Sequence, residues 1–201
     1  MREELFHDWV YKFEAPDYIL KRSLNILNGA VWYKNAYNSS TFADRFKEKD
    51  ARKLRKWFNR CLEEVRSDLD LSCERLAVSQ IWGNKSEKGH WHHTHSHYNS
   101  WASGILYLTP SSAQTWFSKP TMWEQPGLEI VPDAARYHLY KHPTTVGTLI
   151  IFPSTLEHSV NEHDLDDPRF SISFNSYPSG FIGAPGQVNH ALELRLRVSQ
   201  A

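Results

Sequence analysis

The sequence predicts an α+β fold that is mainly β, with helices first and an antiparallel β-barrel or jelly roll after them. Three observations carry that expectation. Two amphipathic stretches of helical period occupy residues 16 to about 70. From residue 74 the texture changes to short alternating or apolar runs punctuated by Gly and Pro. Aromatic residues are plentiful, with eight Trp, nine Tyr and ten Phe, as suits a β-rich core or an aromatic-lined pocket. The 201 residues suffice for one sizeable core, so a single domain over 1–201 is expected, helical at about 16–70 and a jelly-roll core at about 74–198.

Residues 5 to 14 alternate as a strand does. Pro16-Asp17 opens a helix over DYILKRSLNILNG, with Tyr18, Ile19, Ile26 and Leu27 near one face and Gly29 ending it. Asn38-Ser39-Ser40-Thr41 reads as loop and cap before FADRFKEKDARKLRKWFNRCLEEVRSDLD. There Phe42, Phe46, Leu54, Trp57, Phe58, Cys61, Leu62 and Val65 approximate one helical stripe, which should lie against something flat, while Lys53, Arg55 and Lys56 read as a solvated face. The strand-like runs are RLAVSQIW, GHWHHTHSHY, ASGILYLT, QTWFS, LEIV, RYHLYK, GTLIIFP, EHSVNE and RFSISFN. PSGFIGAPGQ at 178–187 reads as a loop, and ALELRLRVS as a final strand able to pair at an edge.

Lys plus Arg equals Asp plus Glu at 23 each, so the basic field that marks nucleic-acid binding is missing. Cys61 and Cys73 are too few for a disulfide scaffold and lack CxxC spacing, which suits a reducing cytoplasm. No apolar run approaches the ~20 residues that span a membrane, and MREELFHDWVYKFEAPDY has no signal-like apolar segment, so a cytoplasmic protein is expected.

Five of the eleven histidines fall within eight positions of GHWHHTHSHY. If residues 90–97 form a strand, His93, His95 and His97 point one way, and His90 and His92 the other. Two histidines at i and i+2 on one face can share a metal, and imidazole suits Fe, Zn, Cu or Ni; the pair could be His93 and His95 or His95 and His97. Such a pair takes its third ligand from a distant strand, and His158, after the apolar strand of GTLIIFPSTLEHSV, is a candidate. In RFSISFN, alternation places Arg169, Ser171, Ser173 and Asn175 on one face and Phe170, Ile172 and Phe174 on the other. The apolar side should pack on the helices. A guanidinium on the polar side could grip a carboxylate by two parallel hydrogen bonds, with the Ser171 hydroxyl adding a third.

These segments resemble the Fe(II)- and 2-oxoglutarate-dependent oxygenases, and within them a bacterial and phage group related to prolyl hydroxylases. The resemblance lies in WGNKSEKG with HSHYNSWASGILYL, in PTTVGTLIIFPSTLEHSV and in RFSISFN, in that order, over roughly residues 76 to 176. It implies a double-stranded β-helix of jelly-roll or cupin type with the N-terminal helices on one sheet. It also implies Fe(II) held by His95, His97 and His158, and 2-oxoglutarate held at its distal carboxylate by Arg169 with Ser171. His95 and His97 are preferred as the pair because they keep the distance to the Ser103-Gly104 strand. Tyr107 resembles a tyrosine that often touches the same carboxylate, or is a core aromatic. Asn99 and Ser100 would orient the ligands or form a turn, and Trp101 and Trp116 would line a substrate pocket or the core.

Two positions depart from the family pattern. The usual set is His-x-Asp plus His, whereas position 97 is His; three neutral imidazoles leave the metal one charge more positive. Position 98 is Tyr where that group commonly has Pro. An acidic ligand from Glu157 or Glu162 is disfavoured, since Glu157 should face away from His158. The function implied is hydroxylation of a C–H bond on an unidentified small molecule or peptide, with no nucleic acid or membrane partner, in a monomer or homodimer. A three-histidine metal cupin that dispenses with 2-oxoglutarate, or a metal-stabilised jelly-roll binding module, stands beside it.

Overall fold

The computed structural model describes residues 8–34, 41–43, 46, 48–120, 137–183 and 192–195. After β1 (Tyr11–Glu14), Pro16 in extended conformation leads into helix α1 (Asp17–Asn28), and the chain leaves the helix at Gly29. The buried row of α1 is Ile19, Ser23 and Leu27, spaced by four, so Tyr18 turns outward instead of joining the apolar face and is 56 % exposed.

The second helix begins later than its stripe suggests. Residues 41–43 form β3 (Thr41–Ala43), which pairs with short β2 (Tyr33–Lys34), and α2 runs Glu48–Asp68. Strand pairing overrides helical propensity here, because Thr41, Phe42 and Ala43 dock on the backbone of β4 (Cys73–Ser86) at Lys85, Asn84 and Gly83. From Leu54 to Val65 the stripe is as expected: Leu54, Trp57, Phe58, Cys61, Leu62 and Val65 are all buried, each contributing about 1.5–3 kcal/mol in the case of the larger side chains. Arg55 is no idle surface charge, since its Nη1 donates to the Val78 carbonyl (2.9 Å) and ties α2 to β4.

The remaining strands are β5 (His92–His95), β6 (Ala102–Tyr107), β7 (Thr115–Pro120), β8 (Tyr137–His142), β9 (Thr148–Pro153), β10 (Glu157–Val160), β11 (Arg169–Ile182) and β12 (Leu192–Leu194). They form two sheets. The larger has the order β1-β9-β6-β11-β4-β3-β2 with β12 beside β11, and the smaller the order β5-β10-β7-β8. This antiparallel arrangement is the mainly-β jelly roll the strand texture predicts, with both helices against the larger sheet. The run LEIV at 128–131 lies outside the described residues.

PSGFI is not the loop its Pro and Gly suggest. β11 continues to Ile182, pairing with β4 and with β12, whose described part is Leu192–Leu194. Gly180, at φ 83°, takes the irregularity at which the β4 register shifts, so the ladder resumes at Ile182 opposite Cys73.

β11 shows how the two faces divide. Ile172 and Phe174 are buried, with Phe170 packed alongside them, in the core shared with α1 and α2. Phe174 lies over Gly104 of β6, where a Cβ would overlap the ring. The opposite face carries Arg169, Ser171, Ser173 and Asn175, all buried, and looks towards the smaller sheet. Among the described residues, no helix is long and apolar enough to cross a membrane.

Candidate metal and anion site

Between the sheets lies a cavity of about 590 Å³, walled by β4, β5, β6, β10 and β11. His158 enters it from β10, paired with His95 of β5 on one side and Phe117 of β7 on the other. Partners in an antiparallel ladder share a face, so both imidazoles point inward. His97 follows β5, where its backbone N–H donates to the Ser154 carbonyl (2.9 Å) in the turn before β10. The ligand atoms of His95, His97 and His158 all lie within 4.8 Å of one another. His93 also lines the cavity but is outside that group.

Hydrogen bonds set the tautomers. His95 Nδ1–H donates to the His93 carbonyl (2.8 Å) and His158 Nδ1–H to the Leu156 carbonyl (3.0 Å), leaving each Nε2 lone pair for a cation. His158 Nε2 stands 3.2 Å from His97 Nε2. Two nitrogens each about 2.1 Å from one metal are separated by about 3.0–3.4 Å, so the observed spacing fits a shared ion. Burial, then neighbouring imidazoles, holds His158 down to about 3 and His97 to about 4, and burial lowers His95 as well. All three are neutral at pH 7, the form that ligates. Glu157 and Glu162 are exposed, and the three-histidine group contains no acid.

The anion side is built on β11 and β6. Arg169 is 1 % exposed, and its Nε and Nη2 meet no hydrogen-bond partner. Tyr107, beside it with the ring centroid 5.8 Å from Cζ, donates or accepts at Thr115 Oγ1 (2.8 Å) rather than at the guanidinium. Burial pushes the Arg169 pKa down and the Tyr107 pKa up to about 12, so Tyr107 is a neutral phenol. A buried cation with two unanswered donors is costly by itself and is suited to a carboxylate. Ser171 lines the same cavity two residues on, and Asn84 Nδ2 donates to Ser173 Oγ (3.0 Å) and Ser171 Oγ (3.4 Å).

The structure therefore brings His95, His97, His158, Arg169 and Ser171 to one cavity. Tyr107 lies behind it, in a second apolar cluster with Ile105, Phe117, Ile150 and Phe152. Asn99, at φ 55°, is a turn residue, and the Ser100 hydroxyl joins a buried chain: Ser154 Oγ donates to Ser100 Oγ (2.7 Å) and meets Ser103 Oγ (2.8 Å), which donates to Asn175 Oδ1 (2.9 Å). Trp101 stacks near Trp9, and Trp116 sits under Lys141; the tryptophan that does line the cavity is Trp82, 5.6 Å from the His97 ring.

One expectation is overturned. His92 lines the cavity instead of facing away from His95. Its partner is Val160 while that of His95 is His158, so three steps of β5 oppose two of β10. That one-residue bulge resets the alternation and brings His92 and His95 to one face. Trp82, Asn84 and Tyr98, the last 87 % exposed at the rim, also escape sequence reasoning, though Trp82 and Asn84 sit opposite Ser173 and Ser171 of the polar face.

The family described as "Putative 2OG-Fe(II) oxygenase" matches residues 80–175, which include every residue of the metal group and Arg169. A comparison with curated proteins returns no match. Among solved structures, the chain is similar to the non-heme α-ketoglutarate-dependent epimerase SnoN from nogalamycin biosynthesis, with 12 % identity, TM-score 0.64, and 96 % of this chain and 89 % of that one covered. It is similar to a Pseudomonas putida prolyl-4-hydroxylase, with 12 % identity, TM-score 0.58, and 85 % and 93 % covered. HygX from Streptomyces hygroscopicus, determined with nickel, 2-oxoglutarate and hygromycin B, shares the fold at 10 % identity, TM-score 0.60, and 86 % and 84 % covered. By the family match over residues 80–175 and the fold held in common with these enzymes, the chain is similar to the oxygenases that depend on Fe(II) and 2-oxoglutarate.

Proposed function

We propose that this chain hydroxylates a C–H bond of its substrate, using Fe(II) and 2-oxoglutarate and releasing succinate and CO2. His95, His97 and His158 hold the metal, and Arg169 with Ser171 holds the distal carboxylate of 2-oxoglutarate. The observation that carries this reading is the pairing, across one cavity, of a three-imidazole cluster with a buried guanidinium whose Nε and Nη2 are unanswered.

The metal with its cosubstrate supplies the oxidising chemistry when bound. The chain's residues do the rest. Strands β5 and β10 fix the imidazoles of His95 and His158, whose outer nitrogens are locked by the His93 and Leu156 carbonyls. Arg169 answers one negative charge of the cosubstrate in a site withdrawn from water, where the attraction is little screened. Phe152, Ile105 and Val160 give the cavity apolar walls, and Trp82 and Tyr98 stand at the metal side, where a substrate would approach His97.

His97 in place of an acid favours a second reading, a three-histidine dioxygenase that acts without 2-oxoglutarate. Anaerobic titration with Fe(II) and then 2-oxoglutarate separates the two. A visible metal-to-ligand charge-transfer band in wild type, lost in His97→Ala, together with succinate formation abolished in Arg169→Ala at full metal content, supports the first. Stoichiometric iron with no band supports the second.

A further inference from the structure

The smaller sheet has two parallel inner rows, which reach the cavity through His95 and His158 in one and His92 and Val160 in the other. One is His95, His158 and Phe117; the next, one strand repeat away, is His92, Val160, Thr115 and His142. The rows are two residues apart along β10, about 6.8 Å. The first is the metal row. The second faces the anion side, because the Thr115 hydroxyl is hydrogen-bonded to that of Tyr107 (2.8 Å) and Tyr107 borders Arg169. A five-carbon dicarboxylate chelated at the first row would place its far end at the second. Of that row, His92 and Val160 line the cavity together with Arg169; His92 is the polar one of the two, and the β5 bulge puts it there.

Resting on the reading given above, we propose that His92 is a second holder of 2-oxoglutarate, donating a ring N–H to the distal carboxylate that Arg169 and Ser171 bind from the other sheet. The cosubstrate is thereby clamped between the sheets, rather than anchored to β11 alone. The state of the imidazole agrees with this. Burial, and then the Arg169 charge, holds His92 down to about 3, which places the two side chains within electrostatic reach and keeps His92 a neutral donor. His92 lies outside the three-histidine group.

The test is calorimetric titration of 2-oxoglutarate into Zn(II)-loaded protein, with Zn(II) affinity measured separately, for wild type, His92→Phe and His92→Gln. His92→Phe keeps a flat ring of similar bulk without a donor; His92→Gln keeps a donor. The expected result is a loss in 2-oxoglutarate affinity of about tenfold or more for His92→Phe, as for a hydrogen bond to a charged group. Recovery to within about threefold of wild type is expected for His92→Gln, with Zn(II) affinity unchanged in both. Wild-type affinity in both variants overturns this inference alone. A drop in Zn(II) affinity in His92→Phe overturns it in favour of His92 as a metal-holding group. Failure of the Zn(II)-loaded wild type to bind 2-oxoglutarate at all overturns the proposed function, and this inference with it.

Discussion

Arg169→Met should make the empty protein more stable and the enzyme unable to hold its cosubstrate. Arg169 is 1 % exposed, and its Nε and Nη2 donors meet no partner. Each unsatisfied buried donor costs about 1–3 kcal/mol, and replacing buried charge by apolar side chains of similar volume stabilises by about 1–4 kcal/mol. The methionine would extend beside Tyr107, over which the guanidinium now lies at 5.8 Å, and so retains much of the packing. Taking about 2 kcal/mol as the net gain, the melting temperature of the metal-free variant should rise by about 4–8 °C for a chain of this size. The same substitution would remove the charge-assisted pair proposed between Arg169 and the cosubstrate. Metal plus excess 2-oxoglutarate should therefore stabilise the wild type by about 2.7 kcal/mol at a hundredfold excess over Kd, raising its melting temperature, and leave the variant where metal alone puts it. Differential scanning fluorimetry of both proteins, apo, with Zn(II), and with Zn(II) and 2-oxoglutarate, reads all of this. A metal-free Arg169→Met protein that melts several degrees below wild type, or one that 2-oxoglutarate still protects, refutes the reasoning.

Metal-free wild type should lose stability as pH falls from about 6.5 towards 4, because His92, His97 and His158 are held at about 3 to 4 when folded and return to about 6.5 when unfolded. Each imidazole contributes stability that is complete above 6.5 and drains at no more than about 1.4 kcal/mol per pH unit below it, so urea melts at pH 7, 6 and 5 should show a steepening fall, and a flat profile contradicts it. Ser154→Ala, which removes the hydroxyl joining Ser100 to Ser103 beside the His97 attachment, should lower metal affinity about tenfold with the fold intact by circular dichroism. Gly104→Ala should cost about 1–3 kcal/mol in chemical unfolding, because the methyl enters the Phe174 ring space.

The β11 segment is legible in the sequence because its alternation is unbroken: Arg169, Ser171 and Ser173 face the cavity, and Phe170, Ile172 and Phe174 face the helices. The histidine strand obeys the same rule only in part. The one-residue bulge that turns His92 inward depends on how β5 meets β10, and nothing local to GHWHHTHSHY announces it. The start of α2 and the strand character of residues 178–182 are hidden for a related reason. In both, pairing with β4 outweighs local preference, at Thr41–Ala43 despite a helical stripe and at Pro178 to Ile182 despite Pro and Gly. The grouping of His95, His97 and His158 is expected through the family resemblance, since spacing alone leaves His93 as an equal choice beside His95. Only packing places His97 against the Ser154 carbonyl and the Trp82 ring.

Because β11 is one strand with two unlike sides, parity along it separates two kinds of inheritance. From 169 to 174, the odd positions line the cavity and lie outside the helical core, while the even positions pack in that core and line no part of the cavity. A lineage descended from this chain could thus trade Ser171 or Ser173 for other polar residues and acquire a new ligand without renegotiating its fold. A change at Ile172 or Phe174 would be felt first as a folding defect, long before it was felt in chemistry.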